Sequence, residues 1–435
     1  MSKHHTKSPE KSENTSETLS KEIQQILKNN SGLSAMFAEA QKNPTEIAVS
    51  AISGHQPSID AVQLANELKI ANVSFVGPDT GSEKEKLNYA DKLAKTARMR
   101  LINKIDKFNL QLAKIINKQN LNTEDQLQVA ELKKQIALSE EKLANHDFFA
   151  ETEKQLLGDY APVWLAVLRG YEGKYQAVVG GGDCPSAEFI KALLLGTSKS
   201  LGRLSSTYVL AGSKPEGMSA NYTTKKNNGK IVSNRILAIT DPAFEPEPGV
   251  EQRAEAAFAT AKVLQELFPQ VAAKIAFASY ATGPSGKGPL VEKDREAYEV
   301  FKQTYPDSSY PAYGPIQFDA ATNKQTAKNK LESFIRSFEQ GKISKEELDA
   351  YELIGGLATI ISVQNLEVGN NLVKGIHAAW NLSVEMGPLI LPHDRISSES
   401  GNYLVASDLS RGEKPRSILS TLAALSILAN SIQVE

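Results

Sequence analysis

Glycines framing a serine and a lysine make "SYATGPSGKGPLVEKDREA", residues 279–297, the first place to look for chemistry. The nucleotide P-loop needs a glycine, four residues, then glycine, lysine and a hydroxyl residue. Here Ala281 stands where the first glycine belongs, and Gly288 follows Lys287, so no hydroxyl is placed to hold magnesium. That excludes the nucleoside triphosphate reading. Gly286 and Gly288 still allow backbone amides to approach an anion, and Lys287 adds a charge. The same glycines could instead close a tight strand–helix turn. The single cysteine, Cys184, excludes an internal disulfide and any Cys-rich zinc or iron–sulfur site. It reads as a small buried residue rather than a reactive thiol. The six histidines are scattered, with no metal-ligand spacing.

These residues must be positioned by a chain of 435 residues, enough for two or three domains. A net charge of -2 gives no basic field for nucleic acid. The opening MSKHHTKSPEKSENTSETLSK has no apolar run, which argues against a signal peptide and for a disordered tail over residues 1–20. The apolar segment Ile418 to Val434 is shorter than the ~20 residues a spanning helix needs and carries Ser and Asn, so a buried helix is expected. The expected location is cytoplasmic, with neither membrane nor nucleic acid as partner.

Residues 45–79 read as strand, turn, helix and strand, a βαβ unit. The helix begins at Ser58 and presents Ile59, Val62 and Leu68. Between residues 93 and 146 the pattern changes. Leu101, Ile105, Phe108, Leu112 and Ile115 form a heptad seam. Thr123 and Gln126 have capping-box spacing, and Val129, Leu132, Ile136 and Leu143 make a second stripe. This predicts a helical hairpin that packs on its own chain, the commoner case, or offers a partner surface. Beyond it, YQAVVGGGD, STYVLAG, two strands in GKIVSNRILAITDPAFEP, AKIAFASYATG and LIGGLATIISVQN are expected strands, with helices between them. That alternation predicts an α/β protein.

Together these segments resemble the phosphate acetyl/butyryltransferase family, of phosphotransacetylase type, from about Thr45 onward. SYATGPSGKGPLVEKDREA is similar to the family's serine-tyrosine strand, Gly/Lys loop and helix. PIQFDAA, Pro315 to Ala320 and one residue beyond, resembles its glutamine-aromatic-aspartate-alanine-alanine signature, and DLSRG, Asp408 to Gly412, its terminal substrate loop. ITDPAF and QNLEVGNNLVK are weaker echoes. The resemblance implies a two-domain isocitrate/isopropylmalate dehydrogenase-like fold carrying the helical hairpin 93–146 as an insertion. The first α/β domain would comprise residues 21–212 plus 385–435, and the second residues 213–384. It also implies a homodimer, reversible transfer of an acetyl or short acyl group between phosphate and coenzyme A, and no permanently bound cofactor. Coenzyme A and acyl phosphate would be the substrates.

A free thiol with a pKa of about 8.5 needs a base or a positive field to ionise near neutrality, and the acyl oxygen needs fixed donors. Ser410 and Arg411 match the family's Ser-Arg pair, and Pro415 suits the first turn of a helix behind it, an anion-binding arrangement. Lys191, Gly286, Lys287, Gly288, Asn370 and Asp408 are the expected substrate or coenzyme A contacts. Gln317 and Asp319 are expected to be structural residues at a strand end. The chain departs from the family in three places. Ser417 occupies the position of the aspartate taken as catalytic base. In CPSAEFIK, Cys184, Glu188 and Lys191 stand for histidine, aspartate and arginine, and Lys lacks the bidentate fork. The SGHQPS turn, Ser53 to Ser58, lacks the family's acidic groups. Two functions therefore stay open: an active acyltransferase, and a catalytically impaired relative that binds coenzyme A or a protein. A metal-dependent dehydrogenase of the same fold is rejected for want of clustered aspartates.

Overall fold

A computed structural model describes residues 9–51, 54–118, 122–196, 204–226, 228–380, 382–392 and 404–433. Eleven strands form one mixed sheet among them. In chain order they are β1 (Thr45–Ser50), β2 (Ala71–Val76), β3 (Ala177–Gly181), β4 (Leu204–Ser213), β5 (Tyr222–Lys225) and β6 (Ile231–Thr240). Then come β7 (Ile275–Ala278), β8 (Ala312–Ile316), β9 (Ile360–Ser362), β10 (Leu382–Pro392) and β11 (Val405–Leu409). Their spatial order is β2-β1-β3-β11-β10-β4-β6-β9-β7-β8, with β5 beside β6.

The first four strands in that order are parallel, and so are β6, β9, β7 and β8. Parallel strands need crossover helices and are buried on both faces, hence their nearly unbroken runs of Ile, Val and Ala. Between the two parallel groups, β10 pairs antiparallel with both β11 and β4, and β4 with β6. The helix Pro415–Gln433 lies against this centre, touching β10, β1 and β11. It is buried continuously from Ser417 to Ala429, with Ser417, Ser420, Thr421 and Ser426 among otherwise apolar side chains. Thr45 at the start of β1 donates its hydroxyl to the Ser426 carbonyl of that helix at 3.0 Å. Among the described residues, no helix is long and apolar enough to cross a membrane.

The expected βαβ unit is present, its helix starting two residues earlier than predicted, at Gln56. Ile52 and Ser53 lie outside the described residues. Residues 9–20, assigned by composition to a disordered tail, belong to a helix Pro9–Asn29 in which Leu19 and Ile23 are buried. The hairpin consists of helices Glu83–Ile116 and Thr123–Asn145, and it packs on its own chain. Ile105, Ile115, Leu132 and Ile136 are buried along its seam. Its capping box falls one residue before the predicted one: the Asn122 side chain accepts from Asp125 N at 2.8 Å, and Asp125 accepts from Asn122 N at 3.2 Å. Asn is as good an N-cap as Thr, and the Asp reaches back.

GKIVSNRILAIT forms one strand, β6, rather than two. The polar Asn234-Arg235 step suggests a break, yet both side chains are buried and find partners, with only Arg235 Nε left without one among the described residues. Asn234 Nδ2 donates to Thr224 Oγ1 at 2.8 Å. Arg235 donates to the carbonyls of Ser219, at 2.8 Å, and Ala358. A buried polar residue survives inside a strand when its donors find carbonyls.

Candidate active site

Asp408 lies on β11 opposite Gly180 of β3, and Ser410 follows where the strand ends. Facing them across a cavity of about 410 Å³ are Asn370 and Lys374, one turn apart on the helix Leu366–Ala379. Ser186, Tyr208, Pro242 and Ala243 also line it. The 241–243 turn is braced by Asp241, whose Oδ1 accepts from Ser206 N at 2.9 Å and Ser206 Oγ at 3.0 Å. Asn370 Nδ2 points to the Pro242 carbonyl at 3.5 Å, too long to tie the amide down.

Asp408 is the most informative group here. It is 7% exposed, and its Oδ1 has no hydrogen-bond partner among the described residues. Burial raises its pKa to about 6, with a hydrogen bond from Ser186 opposing the rise. A buried carboxylate left with an open lone pair beside a hydroxyl, an amide and an ammonium can accept a proton from a bound group.

The other residues singled out from sequence are dispersed. Arg411 is exposed. Ser417 is buried in a second cavity of about 340 Å³, which His377, Glu385, Lys414 and Arg416 also line. Its hydroxyl points at Glu385 Oε1 across 3.5 Å, and His377 Nδ1 and Glu385 Oε2 are 2.6 Å apart. Burial and the neighbouring Glu385 carboxyl push Glu413 well above the ordinary carboxylate range, against the opposing charge of Lys374. Lys191 lines a third cavity and pairs with Glu151 at 3.0 Å. Cys184 is buried in a core cluster with Phe189 and Trp164.

Gly286, Lys287 and Gly288 line none of these three cavities. A Cβ at Gly286 would meet that of Ala281 at 2.4 Å, and Gly288 has a φ of +134°. Both glycines therefore serve the turn. Thr282 Oγ1 accepts from Gln317 N at 3.1 Å, so the Gln of the PIQFDAA stretch fastens this loop to the end of β8.

Sequence reasoning missed Lys374, Tyr208, Glu385 and His377. Lys374 stands four residues after Asn370, a spacing that shares a helix face and could have disclosed it. Nothing local links Glu385 to Ser417. Among the described residues, no three His, Cys, Asp or Glu side chains are grouped to hold a metal ion.

The fold is that of solved phosphotransacetylases. The chain superposes on the Streptococcus pyogenes phosphotransacetylase with a TM-score of 0.55 and 18% identity, covering 92% of this chain and 98% of that one. For EutD phosphotransacetylase from Staphylococcus aureus the TM-score is 0.52 at 19% identity, over 91% and 99%. Residues 162–335 match the phosphate acetyl/butaryl transferase family. Within sequence relatives, phosphate acetyltransferase of Nitratidesulfovibrio vulgaris is 30% identical over 200 residues, 46% of this chain and 24% of its own length. That of Escherichia coli is 28% identical over 197 residues, 45% and 23%. Over this segment the chain is similar to the phosphate acetyl/butaryl transferase family and to these relatives. It spans about a quarter of the length of those curated relatives, and the matched family segment stops short of Asn370, Asp408 and Ser410.

Proposed function

We propose that this protein is a phosphate acyltransferase, moving an acetyl or short acyl group reversibly between coenzyme A and phosphate, with Asp408 as its base. The observation that carries the reading is the buried Oδ1 of Asp408, without a hydrogen-bond partner among the described residues, on a residue that lines one cavity with Ser410, Asn370 and Lys374. On this reading Asp408 takes the thiol proton of coenzyme A. The thiolate attacks the acyl carbon, a C–S bond forms, and the C–O bond to phosphate breaks. The departing phosphate takes the electron pair and, through Asp408, the proton. The Asn370 amide and Ser410 hydroxyl supply donors for the developing oxyanion, and the Lys374 ammonium offsets phosphate charge.

On the same reading the α/β chain forms a two-domain isocitrate/isopropylmalate dehydrogenase-like fold. Its units are residues 21–212 with 385–435, and residues 213–384. Asp408 and Ser410 come from the first unit, Asn370 and Lys374 from the second. A homodimer working in the cytoplasm completes the proposal. A second reading, a protein that binds coenzyme A without turnover, is favoured by Ser417 facing Glu385 rather than the cleft.

The test is acetyl transfer from acetyl phosphate to coenzyme A, followed as thioester formation. Wild type is expected to turn over and Asp408→Asn to lose roughly 10²–10⁴-fold in kcat, the range for a general base. Turnover unchanged in Asp408→Asn would remove Asp408 from the mechanism. Coenzyme A binding without any turnover in wild type would leave the second reading.

A further inference from the structure

The hairpin helix Glu83–Ile116 does more than pack on its partner. It closes, with helices Phe148–Leu157 and Ser186–Gly196, a cavity of about 580 Å³, within the size range of small-molecule sites. Its walls are of two kinds. Leu101, Phe148, Ile190 and Leu194 supply apolar surface. Arg100, Lys104, Lys142 and Lys191 supply four cations against one acid, Glu151. Glu151 is engaged by Lys191 at 3.0 Å and His146 at 2.6 Å. Arg100 donates to the Leu194 carbonyl, which ties the hairpin to the helix behind the cleft. Among the described residues, neither Lys104 nor Lys142 stands within ion-pair distance of a carboxylate.

The cavity is also not isolated. Ala187 and Ile190 line both it and the cleft that holds Asp408, so the two cavities are neighbours along the helix Ser186–Gly196. An acyl chain would fill the apolar part and leave the cations with nothing to face. A ligand with a flat apolar ring and several phosphates uses both walls.

We propose that the hairpin cavity receives the nucleotide end of coenzyme A, its phosphates facing Lys104, Lys142, Arg100 and Lys191 and its adenine lying against Leu101 and Phe148. The inference rests on the acyltransferase reading, which places the thiol end beside Asp408. The pantetheine arm then runs past Ala187 and Ile190. The hairpin, outside the segment matched to the family, is on this account a recognition device for the carrier half of the substrate.

The experiment titrates coenzyme A, 3′-dephospho-coenzyme A and 4′-phosphopantetheine into wild type and into Lys104→Gln/Lys142→Gln by calorimetry. Both lysines are exposed, so the variant keeps the fold. Coenzyme A affinity is expected to fall at least about tenfold in the variant, the loss of two charge-assisted contacts. The two proteins are expected to bind 4′-phosphopantetheine alike. Equal coenzyme A affinity in both proteins overturns the subsite while leaving the acyltransferase reading intact. So does a variant that changes only the preference between acetyl and octanoyl phosphate, which would make the cavity an acyl pocket. If wild type binds no coenzyme A at all, both proposals fall. Binding that depends on Lys104 and Lys142 without turnover supports the subsite and sinks only the catalysis.

Discussion

Asp408 and Glu413 are five residues apart and both are buried, but their surroundings give them different pH behaviour. Asp408, raised to about 6 by burial, is a carboxylate at neutral pH, so it can accept a proton. The acidic limb of kcat/KM is therefore expected near pH 6 and absent from the residual activity of Asp408→Asn, which a pH–rate profile checks. Glu413 has a second carboxyl, Glu385, as its neighbour, and the Tyr208 hydroxyl, Lys374 and Ser417 around it. Its folded-state pKa, about 8, is above the ordinary 4.5, so the native state holds a proton that the unfolded chain releases. Stability is then greatest below pH 4.5 as far as this group is concerned and declines as pH rises toward 8. Glu413→Gln is expected to flatten that decline and to raise the melting temperature at pH 8 relative to wild type. A parallel pair of melting curves across pH would count against it.

At the scale of elements, the stretch that first suggested a phosphate loop turns out to be a brace. Asp294, within the helix Pro289–Thr304 that follows the glycines, is fully buried against Arg253 of the helix Val250–Leu267 at 2.6 Å. Its other oxygen accepts from Gln364, just past β9, at 2.7 Å. Removing the acid would strand a buried guanidinium already short of partners at Nε and Nη2 among the described residues. Asp294→Ala is expected to cost about 3–5 kcal/mol, read as a lowered denaturant midpoint. The elements legible in the sequence are those with a strong local signal. The hairpin showed its heptads, the helix Pro415–Gln433 its Leu-, Ile- and Ala-rich run, and β1 to β3 their Val- and Ala-rich strands. β6 was split in two because Asn234 and Arg235 find their partners on β5 and near β9, far along the chain. Likewise Asn370, Asp408 and Ser410 were legible as candidates and share the cleft, whereas the contact of Ser417 with Glu385 spans 32 residues and leaves no local trace.

Taken whole, the two parallel groups of strands are joined through the antiparallel pair β4–β10, which runs from Leu382 opposite Gly212 to Pro392 opposite Leu204 with register shifts between Leu382 and Val384 and between Met386 and Leu389. A sheet continuous across that pair should unfold as one body. Calorimetry is expected to give a single transition, and two resolved peaks would show that the halves melt separately. The same arrangement bears on how the protein is made. β11 fits between β3 and β10, and the helix after it fills the space against β1, yet both leave the ribosome after every strand they contact. Until they emerge, β3 has one bare edge and the nascent N-terminal half an unroofed apolar face, for a wait set by translation at roughly 5–20 residues per second. Vectorial synthesis therefore works against this topology. A nascent chain arrested at Pro392 should remain protease-sensitive and chaperone-bound along its whole length, and synthesis through Gln433 should confer protection on both halves at once.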